Sequence, residues 1–246
     1  MKFAKIKTLF RQFGTLNAIR YLYAEVNRKI YDPFKITSYS QTGEDRIIEH
    51  LLGESGFYVD VGCNHPQYYS NTFSLYKKGW TGITIDACPE LIKQHQKLRK
   101  RDRSICAVIS DKEQEVIFTD FEDSLVSSLD VEHVSEWMKS RKIKEQRVVK
   151  TTSLNSILDD CKVPSNFDLL NIDVEGHDYE VLTSLDLNIY RPKLIVIEMH
   201  GFDLTNPSSS KIYEYLTVNN YKLIGYATMN GYFAEAPIKG GEISWC

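Results

Sequence analysis

The sequence has no long apolar run. No stretch of about 18 uncharged apolar residues occurs, so no membrane-spanning helix is expected. A secretory leader is not expected either, because the first 30 residues lack an unbroken apolar core. Cysteine is scarce and unpatterned. Cys63, Cys88, Cys106, Cys161 and Cys246 are odd in number and show no C-x-x-C spacing. That argues against a disulfide framework or a zinc ribbon and favours a reducing, cytoplasmic compartment. A strong charge of one sign is also missing: the net charge of −3 disfavours a general nucleic-acid binder. What remains is an ordinary globular composition, and 246 residues can bury a full core without disulfides or metal.

The charge is unevenly placed. Residues 1–35 carry +6 and the rest carries −9. Within the basic stretch Phe3, Ile6, Phe10, Phe13, Leu16, Ile19, Tyr23, Val26 and Ile30 recur at helical spacing. The pattern predicts a basic amphipathic segment over 1–37, either one helix or two hinged near Gly14. Two roles stay open: packing on the domain or on a second copy in a homo-oligomer, and peripheral contact with an anionic membrane.

From residue 38 onward strand and helix signals alternate, which predicts one α/β domain over 38–246. The sheet should be mostly parallel with helices on both faces. Strands are expected at 57–61, 81–86, 104–109, 167–172 and 194–197, with 115–119 extending the sheet and 147–151 as another strand. Helices are expected at 42–52, 71–78, 131–140, 153–160, 178–185 and 211–218. Residues 124–129 read as a polar loop. Tyr221–Ala227 and Tyr232–Ala234 flank Asn230-Gly231, a hairpin signal that would close the sheet with an antiparallel pair.

The chemistry is expected at the strand tips. Asp60-Val61-Gly62-Cys63-Asn64 ends the first strand, and Asp86 ends the second 26 positions later. In open α/β sheets a glycine turn and an acid at neighbouring tips frame an adenosine site. Glycine is too scarce here for a pyrophosphate. Only Gly62 is present, and Asn64 and Pro66 stand where more would be wanted. The loop therefore suits S-adenosylmethionine. Asp86 would take the ribose hydroxyls, Ala107 and Val108 the adenine, and Asp60 the tail ammonium. Asn71 and Thr72 would take the tail carboxylate. Gln41 or Glu44 could close over the tail, or simply start a helix with acids in its first turn.

Several segments occur in order: Tyr39-Ser40-Gln41-Thr42-Gly43-Glu44-Asp45, Val59 to Pro66, Ser70-Asn71-Thr72, Gly79-Trp80-Thr81-Gly82 and Leu170 to His177. Over about residues 38–200 they resemble the FkbM family of methyltransferases. The resemblance implies a Rossmann-like methyltransferase sheet and an S-adenosylmethionine-dependent O-methyltransferase. It implies a small-molecule or glycan acceptor, such as a sugar of a surface-glycan precursor. Asp86-Ala87-Cys88-Pro89 departs from the family pattern, where Glu is commoner at the first position.

An alcohol needs a base or a metal to become a nucleophile. Asp173, Glu175, Glu198 and His200 are expected at the tips of the fourth and fifth strands. His200 is the first candidate base because histidine titrates near neutrality, and Glu175 the second. Asp173, Glu198 and His200 also form a candidate set for a divalent metal. An inactive scaffold that keeps the fold is the competing reading. An N-methylating enzyme would carry an Asn-Pro-Pro-Tyr-like motif where Asp173-Val174-Glu175-Gly176 stands.

Overall fold

The computed structural model describes residues 3–30, 37–121, 127–128 and 142–235. It divides into two units, Met1–Thr37 and Ser38–Cys246. In the first, α1 (Phe3–Ile30) is interrupted at Gly14, whose φ of 70° and ψ of 165° are not helical. Phe13, Leu16, Ile19, Tyr21 and Tyr23 along it are exposed.

The second unit begins with α2 (Glu44–Leu51), started by Gly43 in a left-handed conformation. Then follow β1 (Phe57–Val61), α3 (Phe73–Lys77), β2 (Thr81–Asp86), α4 (Pro89–Leu98) and β3 (Arg103–Cys106). Next come β4 (Val108–Ile109), β5 (Glu115–Phe121), β6 (Ser127–Ser128), β7 (Ile143–Thr152) and α5 (Leu154–Cys161). The chain continues through β8 (Leu169–Ile172), α6 (Asp178–Thr183), β9 (Leu194–Glu198) and α7 (Lys211–Val218) to β10 (Tyr221–Ala227) and β11 (Asn230–Glu235).

Among the described residues a seven-stranded sheet has the order β10-β11-β9-β8-β1-β2-β3. The five strands from β9 to β3 run parallel. The last two add an antiparallel edge, β11 against β9 and β10 against β11. Side chains alternate across a strand, and both faces are covered. Val59, Val61, Ile83, Ile85, Leu170, Ile172, Ile195 and Ile197 pack with Leu154 and Leu158 of α5, Val181 and Leu182 of α6, and Leu216 of α7. Tyr58, Leu169, Leu194, Val196 and Tyr232 face the other way and pack with Ile48 of α2, Leu75 of α3 and Trp80. Burial on both sides explains why these strands read as nearly continuous apolar runs.

The structure differs from expectation in three places. The run 104–109 is not one strand. Its pairing to β2 ends where Ala107 N donates to Asp86 O, and β4 then joins β7 in a separate four-stranded sheet. The segment 115–119 does not extend the main sheet, since β5 pairs antiparallel with β7. The hairpin turns two residues early, at Thr228–Met229, with Thr228 at φ 58°. Asn230 and Gly231 already pair with Glu198 and Ile197 of β9. Gly231 serves close packing instead, because a Cβ there would lie 2.5 Å from Met199 Sδ. The expected helix 131–140 lies outside the described residues. Of the expected loop 124–129, Ser127–Ser128 form the short β6 against β5.

A buried charged network sits between β1 and α3. The Arg99 guanidinium donates to Asp102 Oδ2 at 2.8 Å, to Tyr58 OH at 2.7 Å and to Thr72 Oγ1 at 2.9 Å. Thr72 Oγ1 in turn donates to Asp60 Oδ2 at 2.5 Å, and Asn171 Nδ2 donates to Asp60 Oδ1 at 2.9 Å. Arg99 is fully buried and is the cation nearest two buried carboxylates. Removing one partner of such a set leaves uncompensated charge. Arg99→Ala should therefore cost about 3–5 kcal/mol in urea unfolding. A loss below about 1 kcal/mol, the size of an exposed ion pair, would contradict this role.

Candidate functional site

The tips of β1 and β8 touch. Gly62 has φ 79°, and a Cβ on it would fall 1.7 Å from the carbonyl oxygen of Asp173. No side chain fits there, so the glycine sets the spacing of the two tips. The turn then bends back toward β2: Gly62 N and Cys63 N both donate to Ile85 O, at 2.9 and 3.1 Å.

Asp86 fastens this turn to the next loop. Its Oδ2 accepts from Asn64 N at 2.9 Å, and its Oδ1 accepts from Cys88 N at 2.8 Å. Pro89 opens α4 directly after Cys88, which fixes Leu91 beside the same loop. From below, His95 Nε2 donates to Asn64 O at 2.8 Å. Burial lowers the pKa of His95 to about 4, so the ring is neutral near pH 7, and the nearby Arg99 charge adds to the effect.

These loops enclose a crevice of about 880 Å³, its mouth included. One wall is Gly62, Asn64, Asp86, Cys88 and Leu91. The apolar floor is Ala107, Val108, Ile109 and Phe118. Asp173, Val174, Glu175 and His177 line it as well, as do Gln41 and Tyr69.

The Asp173 to Asp178 turn is tightly wound. Glu175 and Gly176 are both left-handed, at φ 55° and 91°. Asp178 clamps the turn by accepting from Val174 N at 3.0 Å and Gly176 N at 3.1 Å. Burial pushes the Asp178 carboxyl up to about 7 despite these bonds. Asp173 is shifted well above the usual carboxylate range by desolvation, reinforced by Glu198, Asp178 and Glu175. At the tip of β9, Glu198 is buried and its Oε2 lies 3.0 Å from His200 Nε2. Contact with that carboxylate raises the pKa of His200, against desolvation, which lowers it. Ligand atoms of Glu175, Glu198 and His200 all fall within 4.8 Å of one another.

The structure thus gathers Gln41, Gly62, Asn64, Asp86, Ala107, Val108, Asp173 and Glu175 around one crevice. Glu198 and His200 adjoin it through Glu175. Asp60, Asn71 and Thr72 are not among the lining residues. Both Asp60 oxygens are engaged by Thr72 and Asn171, and Asn71 Nδ2 donates to Asn171 Oδ1 at 3.1 Å. Glu44 is turned to Thr42, whose backbone N–H and hydroxyl it accepts. Sequence reasoning missed Cys88 and Leu91, which Pro89 marks as the start of a helix. It also missed Phe118, which arrives from the second sheet with no local signal.

Residues 60–223 match the sequence model of the Methyltransferase FkbM domain. The chain belongs to this family. No curated protein matches it. Among solved structures, one similar chain is a TehB-like SAM-dependent methyltransferase from Corynebacterium glutamicum ATCC 13032 Kitasato. It is 13% identical, with a TM-score of 0.42, over 89% of this chain and 99% of the other. Another is monomeric WbdD, 12% identical, with a TM-score of 0.38, over 78% of this chain and 40% of the other.

The support from His95 generates a pH test for this FkbM-family chain. Its folded pKa lies below its ordinary 6.5, so the unfolded chain binds the extra proton between these values. The stability that the neutral ring contributes is complete above about 6.5 and is lost as pH falls toward about 4. The stability gap between wild type and His95→Gln should shrink by up to about 3 kcal/mol over that range. Chemical unfolding at a series of pH values measures it, and a constant gap would contradict a neutral buried ring.

Proposed function

We propose that this FkbM-family methyltransferase moves a methyl group from S-adenosylmethionine to a hydroxyl of a sugar, either nucleotide-linked or part of a surface-glycan precursor. The observation that carries the reading is Asp86, which lines one crevice together with Gly62 and the apolar Ala107, Val108, Ile109 and Phe118.

The residues fit such a donor. The Asp86 carboxylate would accept from ribose hydroxyls, and Ala107, Val108, Ile109 and Phe118 offer an apolar surface for adenine. Gly62 lets a ligand approach the backbone closely. Asp173 and Glu175 are carboxyl groups suited to a ligand with a positive sulfur and an ammonium, and Gln41, which lines the same crevice, would close over the tail. The donor supplies a methyl carbon already activated by its sulfonium. The chain's own task is to hold the acceptor oxygen near that carbon, keep water out and relieve the oxygen of its proton. Positioning of this kind is worth up to about 7–11 kcal/mol. Glu175, Glu198 and His200, with Asp173 on the same rim, are the groups that would act on the acceptor hydroxyl.

Surroundings add finer expectations. The described cysteines are free, which suits a reducing, cytoplasmic setting. No described helix is long and apolar enough to cross a membrane. The exposed apolar residues of α1 and the basic charge of its segment support peripheral contact with an anionic membrane or with a second copy.

Calorimetric titration with S-adenosylhomocysteine tests the donor site. The wild-type chain should bind it, and Asp86→Ala should weaken binding by about 1.5–3 kcal/mol, the range for a lost charged hydrogen bond. A thermal melt checks that the variant stays folded, since Asp86 also ties two backbone N–H groups. A folded variant with unchanged affinity would remove Asp86 from the site. A methylated product from a panel of nucleotide sugars would support the acceptor class, and methylation of amines alone would overturn it.

A further inference from the structure

We propose that Glu175, Glu198 and His200 form a binding site for one divalent cation of the Mg²⁺ or Mn²⁺ type at the rim of the crevice.

The donor set is the first reason. Two carboxylates and one imidazole converge within 4.8 Å. Hard oxygen ligands with a single nitrogen suit Mg²⁺ or Mn²⁺ better than a thiolate-seeking metal. The second reason is Glu198. It is only 6% exposed, and its Oε2 accepts no hydrogen bond among the described residues. A buried carboxylate oxygen left in that state is costly. His200 Nε2 stands 3.0 Å from it and forms an ion pair with it when the ring is protonated. Neighbouring ligands of an octahedral ion, each about 2.1 Å from the metal, are about 3.0 Å apart. The pair thus has the spacing of two ligands to a shared cation.

The surroundings hold these ligands in place. Glu198 ends a strand paired to Asn230, and Met199 N donates to Met229 O at 2.7 Å. Glu175 is aimed by the left-handed turn that Asp178 clamps.

The consequence for the acceptor rests on the methyl-transfer reading above. Three protein ligands leave about three positions of an octahedral ion open. Two neighbouring hydroxyls of a sugar diol can fill two of them, so the ion would select acceptors with vicinal hydroxyls.

Metal binding is measured on the full chain after chelator treatment, with no methyl donor present. Mn²⁺ is titrated and followed by electron paramagnetic resonance of the free ion. One Mn²⁺ should bind per chain. Glu198→Gln and His200→Ala should each weaken it at least tenfold, while S-adenosylhomocysteine affinity changes less than threefold and reports that the variants are folded. His200 is partly exposed, so its variant serves where Glu198→Gln fails to fold. No Mn²⁺ uptake by the wild-type chain, or equal uptake by the folded variants, would overturn the site. Mn²⁺ uptake without S-adenosylhomocysteine binding would keep the site and remove the donor reading. The reverse result would do the opposite.

Discussion

The contact between Gly62 and the carbonyl of Asp173 governs the rest of the site. Two parallel strand tips come so close that a single methyl group would not fit between them. That proximity lets one turn reach Ile85 and Asp86 on one side while the Asp173 to Asp178 turn faces it on the other. The crevice exists because these two loops diverge from a shared point of contact. A larger residue at 62 would push the walls apart or twist the β1 tip, with Asp86 displaced along with it.

Charge is segregated around that point. Beneath the sheet, Arg99 meets Asp102, Tyr58 and Thr72, and Asp60 is closed off by Thr72 and Asn171. Those groups satisfy one another and brace the segment that leads into α3. Above it, Asp173, Glu175, Glu198 and His200 form an acidic rim, in which burial pushes the Asp173 carboxyl toward its neutral form. Between the two lies an apolar floor that enters from β4 and β5. A hydrogen-bonded layer supports this rim, where the proposed positively charged ligand and cation would sit.

Much of this was legible in the sequence, and the exceptions have physical causes. Strands buried on both faces announce themselves by apolar runs, so β1, β2 and β9 fall where Phe57, Thr81 and Leu194 begin them. Helix α7 spans 211–218 as expected, with Ser210 accepting from Tyr213 N at its start. The break between β3 and β4 was hidden, because a strand that changes partners keeps the same side-chain pattern. The length of β7 was hidden as well, since its first half is Lys144, Glu145 and Gln146. Asp60 reads as a cleft acid because it lies near a strand end. Its alternation with Tyr58 puts it on the face toward α3, where it meets Thr72, a sign that period-two counting carries. That Glu175 meets Glu198 and His200 depends on two successive left-handed residues, and Gly176 hints at only one of them.

The most direct measurement is a crystal structure of the chain grown with S-adenosylhomocysteine. The account predicts ribose hydroxyls on the Asp86 carboxylate, adenine against Val108 and Phe118, and the sulfur on the Asp173 and Glu175 side of Gly62. Ligand density in another cavity, or a ribose turned away from Asp86 in this one, would contradict it.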